Sequence, residues 1–257
     1  MGEVQLGLGL VSIGRRWGVR DVAPPPTDAA VALVEAACDA GIRFFDTAPA
    51  YGDSESVFGL ALDRGVIDRA TITIATKMGE HWNAETGEPF VDHDYDALMR
   101  SLEQSLARLG RIDVLQLHKA TAATLEAPDV LRAFDRAASL GVRRFGASVS
   151  DVETARIACR TGRFEFLQFP YNLGAGHFAP IFALLRACGM RAIVNRPFGM
   201  GGLVGGGADD GVAAFRHVLA ADFDGVVLTG TSSRVHLVEN VAAFDAARAA
   251  TARCPPG

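Results

Sequence analysis

Short apolar segments alternate along the chain with longer segments whose apolar residues recur at helical spacing. The eight apolar segments span residues 4–10, 43–45, 71–76, 114–117, 144–147, 166–169, 192–195 and 226–228. Polar and apolar positions do not alternate within them, which is typical of parallel strands that are buried on both faces. The pattern therefore predicts a parallel sheet covered by helices.

A segment with helical spacing follows each predicted strand. The eight predicted helices span residues 27–40, 54–63, 95–109, 128–140, 151–160, 177–187, 211–220 and 234–250. Thr27 is the expected N-cap of the first helix, which stops before Gly41. Eight βα units predict one (β/α)8 TIM barrel domain over residues 1–257, with a doubly wound open sheet as the alternative.

Composition narrows the class of protein. Hydrophobic residues make up 49% of the chain, enough for a large core, and the net charge is −5 without a basic stripe, which argues against a nucleic-acid partner. With no apolar run of membrane-spanning length and no export signal, we expect a cytoplasmic protein without a membrane partner. The cysteines form no CxxC pair, which indicates free thiols and no zinc site: Cys38, Cys159, Cys188 and Cys254.

Titratable residues stand where three consecutive predicted strands end, and catalytic residues of barrels occupy such positions. These residues are Asp46, Lys77 and His118, and Tyr51 follows Asp46 by five positions. Taken singly, each has an ordinary explanation as a cap, a solvated tip or a packed ring. Together they predict a proton-transfer unit in which Asp46 keeps Lys77 charged and Lys77 lowers the pKa of Tyr51. His118 would hydrogen-bond a substrate oxygen.

Six segments resemble the sequences of a known protein family: FFDTAPAYGDSE, TIATK, SLEQSLARLGRIDVLQLH, FGASV, FLQFPYN, and VVLTGTSS followed by ENV. Through them the chain resembles the aldo-keto reductases, in particular short bacterial members without a long C-terminal tail. The resemblance implies that Asp46, Tyr51, Lys77 and His118 are a catalytic tetrad. Tyr51 would protonate a carbonyl oxygen as a nicotinamide delivers hydride, and the reverse reaction would oxidise an alcohol.

The same resemblance implies NADPH extended over the barrel rim, since no GxGxxG motif of a Rossmann unit is present. Ser148 and Gln168 would bind the carboxamide. The other implied cofactor contacts follow the last two strands: Asn195, Arg196, Pro197, Phe198, Gly199, Thr229, Gly230, Thr231, Ser232, His236, Glu239 and Asn240.

Several of these positions depart from the family pattern. Asn195 replaces an aromatic residue that stacks on the nicotinamide in many relatives, and Gly230 and His236 stand where a Lys and an Arg are frequent. Arg234 can compensate for that lost charge, so NADPH is favoured, with NADH as the alternative. Arg196 either reaches the pyrophosphate or pairs with an acidic neighbour. The hydroxyls at residues 229–233 form either an anion site or a helix cap.

The substrate side is less defined by the sequence. Trp17 and Trp82 lie in strand-end loops, where they either line an open pocket or simply pack. Substrate identity, physiological direction and oligomeric state stay open. Two other functions also stay open: a regulatory barrel that binds nucleotide with little turnover, and a lyase or isomerase that uses Lys77 as a Schiff-base amine. Asp46 argues against the latter, because it would keep Lys77 protonated.

Overall fold

A closed barrel of eight parallel strands forms the body of the computed structural model, which describes residues 3–203, 205 and 208–253. Around the barrel the strands follow the order β1, β10, β9, β8, β7, β6, β3 and β2. Their bounds are β1 Val4–Gly9, β2 Phe44–Asp46, β3 Thr73–Met78, β6 Val114–Ala120, β7 Arg144–Val149, β8 Phe166–Pro170, β9 Arg191–Asn195 and β10 Gly225–Gly230. The predicted TIM barrel is thus confirmed, and the alternative of a doubly wound open sheet is wrong.

Helices surround the barrel. They are α1 Val11–Gly14, α2 Thr27–Asp39, α3 Ser54–Asp63, α4 Tyr95–Leu109, α5 Ala122–Leu125, α6 Pro128–Ser139, α7 Val152–Thr161, α8 Pro180–Cys188, α9 Ala208–Leu219 and α10 Arg234–Arg253. In the described residues, single 3-10 turns span Arg69–Thr71, Gly176–Phe178 and Gly199–Gly201. Within the described part of the chain, no helix combines the length and the apolar character that a membrane crossing requires.

The barrel interior has an apolar floor and a polar rim. Because side chains of a strand alternate between its faces, residues two apart point to the same side. The floor is formed by Phe44, Ala75, Val114, Phe166, Ile193, Val226 and Leu228. Two positions further along their strands, and so nearer the C-terminal end, stand Asp46, Lys77, Gln116 and Gln168. The strand pattern itself therefore brings polar side chains together at the mouth of the barrel.

Some local predictions were wrong. Thr27 does not cap α2: the N-cap is Pro26, and Thr27 is the first helical residue. The segment after β3, which was expected to be a loop, contains an antiparallel hairpin of β4 Glu80–Asn83 and β5 Glu88–Val91. Cys38, Cys159 and Cys188 are free thiols as expected, and Cys254 lies outside the described residues.

Candidate active site

Lys77 is at the centre of the polar rim and is fully buried. Its Nζ donates hydrogen bonds to Oδ2 of Asp46 at 2.6 Å and to the carbonyl oxygen of Thr47 at 2.8 Å. Nζ also lies 4.8 Å from the centre of the Tyr51 ring. Two of the three donors of the ammonium group are thus used by Asp46 and Thr47, and they hold Lys77 beside the phenol.

Gln116 holds the far side of the Asp46 carboxylate. Its Nε2 donates to Oδ1 of Asp46 at 2.9 Å, and Gln116 pairs with Lys77 in the register between β3 and β6. Both oxygens of Asp46 are thereby satisfied in a buried site. The sequence interpretation missed Gln116, although its position two residues before His118 on a strand was the signal for a shared face.

The pKa of Tyr51 lies above its ordinary value of 10.0, because burial of the phenol outweighs the lowering effect of Lys77. Lys77 does lower the pKa of Tyr51 as predicted, but burial raises it by more, so the expected net lowering of that pKa is not seen. For Lys77, burial opposes the charged form, but Asp46 and then Tyr51 more than compensate, so its pKa is raised above 10.5. At neutral pH the unit consists of a charged ammonium and a protonated phenol.

His118 faces Tyr51 across the mouth of the barrel. The two ring centroids are 5.8 Å apart and the planes meet edge to face at 82°. Burial, followed by the positive charges of Lys77, Lys119 and Arg15, holds the pKa of His118 well below 6.5. A carboxylate oxygen of Glu80 lies 3.0 Å from Nδ1, but in a direction that makes no hydrogen bond. His118 is therefore neutral, with its Nδ1 lacking a hydrogen-bond partner.

The backbone around Tyr51 is fixed by contact with α1. The Tyr51 carbonyl accepts from the Ser54 amide at 3.2 Å, and Gly14 packs so closely that a Cβ on it would lie 2.0 Å from that carbonyl oxygen. Gly52 adopts a φ of +60°, and a Cβ there would meet the Gly14 carbonyl oxygen at 2.4 Å. Glycine is thus required at both positions for the loop to present Tyr51.

The proposed carboxamide contacts are neighbours. Ser148 and Gln168 pair directly in the register between β7 and β8. At the ends of β9 and β10, Asn195 Oδ1 and Thr229 Oγ1 are buried without a hydrogen-bond partner. Buried polar atoms without partners are uncommon in proteins and fit a site that a polar ligand completes. The remaining residues after β9 continue along the same rim: Arg196, Pro197, Phe198 and Gly199.

The start of α10 is partly satisfied by its own hydroxyls. The Ser233 amide donates to Thr231 Oγ1 at 3.0 Å, and the His236 amide donates to Ser233 Oγ at 3.4 Å. The helix-cap explanation therefore accounts for these two residues. The other predicted contacts of this unit stand around the same helix start, with Gly230, His236 and Glu239 exposed and Ser232 and Asn240 half-buried.

Arg196 is exposed and has a left-handed backbone with φ of +56°. Asn172 supports this conformation by donating from Nδ2 to the Arg196 carbonyl oxygen at 2.8 Å. Among the described residues no acidic side chain forms an ion pair with Arg196, so the acidic-neighbour alternative is not seen there. Its guanidinium instead lies 5.8 Å from the ring centre of Trp17.

Trp17 and Trp82 are both half-buried beside the catalytic candidates. Arg15, which the sequence interpretation missed, lies between their rings. The guanidinium carbon of Arg15 lies 5.2 Å from the centre of Trp17 and 5.5 Å from the centre of Trp82. It lies 5.8 Å from the ring of Tyr51. Within the described ranges, no group of three or more His, Cys, Asp or Glu side chains is arranged to hold a metal ion.

A parallel barrel with a tyrosine, a buried lysine, an aspartate and a histidine at its C-terminal rim defines a narrow class of proteins. The model of the Aldo/keto reductase family matches residues 5–213. This match covers more than half of the chain, so the chain belongs to the aldo-keto reductase family.

Known relatives agree with this assignment. An aldo-keto reductase of Mycobacterium sp. (strain JLS) is 35% identical over 143 residues, covering 54% of this chain and 47% of the relative. A Schizosaccharomyces pombe aldo-keto reductase, whose name specifies NADP(+), is 27% identical over 78% of this chain and 59% of its own length. A solved structure from Pseudomonas aeruginosa, described as a member of the same family, is 30% identical, with a TM-score of 0.79 and coverage of 95% and 90% of the two chains. The chain spans about half the length of the first curated relatives it matches, at 47%, 47% and 45%.

Proposed function

We propose that this protein is an NADPH-dependent oxidoreductase that reduces an aldehyde or ketone to the alcohol, or catalyses the reverse reaction. The observation that carries the proposal is the position of the Lys77 ammonium, which is buried in an ion pair with Asp46 and lies 4.8 Å from the centre of the Tyr51 ring at the barrel mouth. In a barrel this rim is where the reacting groups of enzymes lie. The chain is proposed to act as a single domain over residues 1–257.

Tyr51 acts as the general acid in this proposal. It gives its proton to the carbonyl oxygen, and the phenolate that remains is stabilised by Lys77. Asp46 and Gln116 keep Lys77 charged and oriented, and His118 is a neutral hydrogen-bonding group beside the substrate oxygen. In the oxidative direction the Tyr51 phenolate accepts the proton of the alcohol. A bound nicotinamide supplies or removes the hydride.

Ser148, Gln168, Asn195 and Thr229 are the residues proposed to hold the nicotinamide half of the cofactor. The unpartnered Oδ1 of Asn195 and Oγ1 of Thr229 support a polar ligand at this part of the rim. The remaining contacts are proposed along the ends of β9 and β10 and the start of α10: Arg196, Pro197, Phe198, Gly199, Gly230, Thr231, Ser232, His236, Glu239 and Asn240. NADPH rather than NADH is proposed, and the NADP(+)-named relative supports that choice.

The proposal is tested by steady-state assays that follow the absorbance of NADPH with a panel of neutral aldehydes and ketones. Replacing Tyr51 by Phe should lower kcat/KM by about 10²–10⁴-fold, the scale of a lost general acid, while leaving cofactor binding in place. Tyr95→Phe is the matched control, because Tyr95 is the first residue of α4, on the outside of the barrel. Its ring centre lies 4.1 Å from the guanidinium carbon of Arg132. Equal rates for the wild type and Tyr51→Phe would contradict the proposed role.

A regulatory barrel is the second candidate, since fold alone does not establish turnover. It predicts that NADPH binds, as read from protein fluorescence, while no carbonyl compound is reduced by the wild type or by Tyr51→Phe. A Schiff-base enzyme predicts borohydride trapping of a carbonyl substrate at Lys77 without nucleotide. The observed pairing of Lys77 with Asp46 disfavours that chemistry, because a protonated amine is a poor nucleophile.

A further inference from the structure

Arg15 lies among three aromatic rings at the barrel mouth. Trp17, Trp82 and Tyr51 have ring centres 5.2, 5.5 and 5.8 Å from its guanidinium carbon. Aromatic faces attract a guanidinium but accept few hydrogen bonds from it, so its in-plane N–H groups stay available to another acceptor. A planar guanidinium with free N–H groups matches the geometry of an oxyanion.

Arg15 has no anionic partner within the described part of the chain, and its Nε is buried without any hydrogen bond. The neighbouring Arg16 shows the contrast. Its Nε lies 2.7 Å from Oδ2 of Asp21, and its second guanidine nitrogen donates to the Asp21 carbonyl oxygen at 2.6 Å. A buried donor without a partner is costly, and such a group is expected to be satisfied by a ligand. The arrangement therefore indicates a partner for Arg15 other than the residues that the structure describes.

The location of Arg15 indicates what kind of ligand that is. It touches the ring of Tyr51, the proposed proton donor, and contacts Trp82 on the hairpin that follows β3. Ser148 and Gln168, proposed to hold the nicotinamide, lie on β7 and β8, which β1 does not adjoin. Arg15 thus borders the space next to the proton donor rather than the carboxamide contacts.

We propose that Arg15 binds an oxyanion, a carboxylate or a phosphate, on the carbonyl substrate. The preferred substrates are then negatively charged aldehydes or ketones. This inference rests on the proposed function, because it assigns a substrate class to the same site. Since the guanidinium lies beside the ring that donates the proton, the carbonyl carbon and the anionic group must be separated by only a few bonds.

Paired substrates of matched shape test the inference. The carboxylate pair is 2-carboxybenzaldehyde and its methyl ester, and the phosphate pair is glyceraldehyde 3-phosphate and glyceraldehyde. In the wild type, kcat/KM for the anionic member should exceed that for the neutral member by about 10–100-fold, the effect of a charge-assisted hydrogen bond. A preference in only one pair identifies which oxyanion is bound. Equal values in both pairs, or a preference for the neutral members, would overturn the inference.

Arg15→Gln removes the charge, and Arg16→Gln is the matched control because Arg16 is exposed and paired with Asp21. Arg15→Gln should lose about 10–100-fold in kcat/KM on the anionic substrates and less than about threefold on the neutral ones, with Arg16→Gln close to the wild type on both. The neutral substrates also show that the variant is folded. An equal loss on both substrate types, or a raised KM for NADPH alone, would contradict substrate binding by Arg15.

Binding measurements separate this inference from the proposed function. The chain has two tryptophans, and both lie beside Arg15, so intrinsic fluorescence reports directly on this site. Benzoate and inorganic phosphate should quench or shift the emission of the wild type and of Arg16→Gln, and not that of Arg15→Gln. If no carbonyl compound is reduced but this response is present, the proposed function fails and the oxyanion site stands. If reduction occurs without any response to either anion, the oxyanion site fails alone.

Discussion

Tyr51 and His118 are both neutral at physiological pH, for different physical reasons. Burial keeps the proton on Tyr51 and raises its pKa, although Lys77 acts in the opposite direction. Burial also disfavours charge on His118, and three neighbouring cations reinforce that effect. A protonated phenol is the form that a general acid needs for carbonyl reduction. The proposed acid, Tyr51, therefore keeps its proton over the whole neutral range, and the proposed mechanism does not depend on a lowered pKa of its phenol.

This protonation state predicts the pH profile of carbonyl reduction. With a neutral, non-ionising aldehyde as substrate, kcat/KM should stay within about twofold between pH 6 and 8, because neither residue titrates there. It should fall as the pH rises beyond about 10, where Tyr51 begins to lose its proton. A histidine of ordinary pKa would instead produce a break near 6.5. Such a break, absent in His118→Ala, would show that His118 is charged in the working enzyme.

Lys77 and Asp46 form a fully buried ion pair, so each depends on the other. Lys77→Met should lower the free energy of unfolding by about 3–5 kcal/mol, because the Asp46 charge stays buried without its partner. Adding Asp46→Asn should restore much of that loss. Urea denaturation measures both effects. Arg64→Met is the control, because both side chains of its ion pair with Asp28 are exposed, at 45% and 85%. A loss of similar size in that variant would contradict the burial argument.

Two elements, α1 and the loop after β2, are packed backbone to backbone to hold Tyr51. Gly14→Ala would place a methyl group against the Tyr51 carbonyl, so the loop must shift. We expect a loss of about 1–3 kcal/mol in unfolding free energy and about 10²-fold in kcat, since a displacement of about 1 Å is enough for that effect. Circular dichroism and steady-state kinetics measure the two quantities. Gly176→Ala is the control, because nothing lies within 4 Å of a Cβ there. Unchanged kinetics in Gly14→Ala would refute the packing argument.

At the level of elements, the sequence was a good guide where burial determines structure. All eight barrel strands and α3 and α4 were located, because apolar runs and helical spacing record burial directly. The hairpin of β4 and β5 was missed, since Pro89 argues against a strand. Pro89 is tolerated because this ribbon has only two strands, so one edge needs no backbone donor. Thr27 was predicted to be the N-cap of α2, but Pro26 occupies the N-cap position and Thr27 is the first helical residue.

At the level of the whole molecule, the candidate site follows partly from periodicity. Asp46 and Lys77 stand two positions beyond the apolar floor of the barrel, and His118 stands four positions beyond it on the same face. All three must therefore meet at the mouth of the barrel, and they could be placed together from the sequence. Arg15 could not, because its position depends on how the segment after β1 folds against two other loops. The pKa of Tyr51 was equally inaccessible, since it depends on a balance between burial and charge that only coordinates supply.

Discrimination between NADPH and NADH depends on the charges that the assembled rim presents to the adenosine end of the cofactor. Gly230 and His236 supply no permanent charge near the start of α10, so Arg234 is the cation expected to contact a 2′-phosphate. NADPH should bind about tenfold more tightly than NADH, and Arg234→Ala should reduce that ratio to about one to two, as measured by fluorescence titration. Arg248→Ala, an exposed position nearer the other end of the same helix, should leave the ratio unchanged. If Arg234→Ala left the ratio of NADPH to NADH affinity unchanged, another residue would bind the 2′-phosphate. Arg196, which has no acidic partner among the described residues, would then be the next candidate.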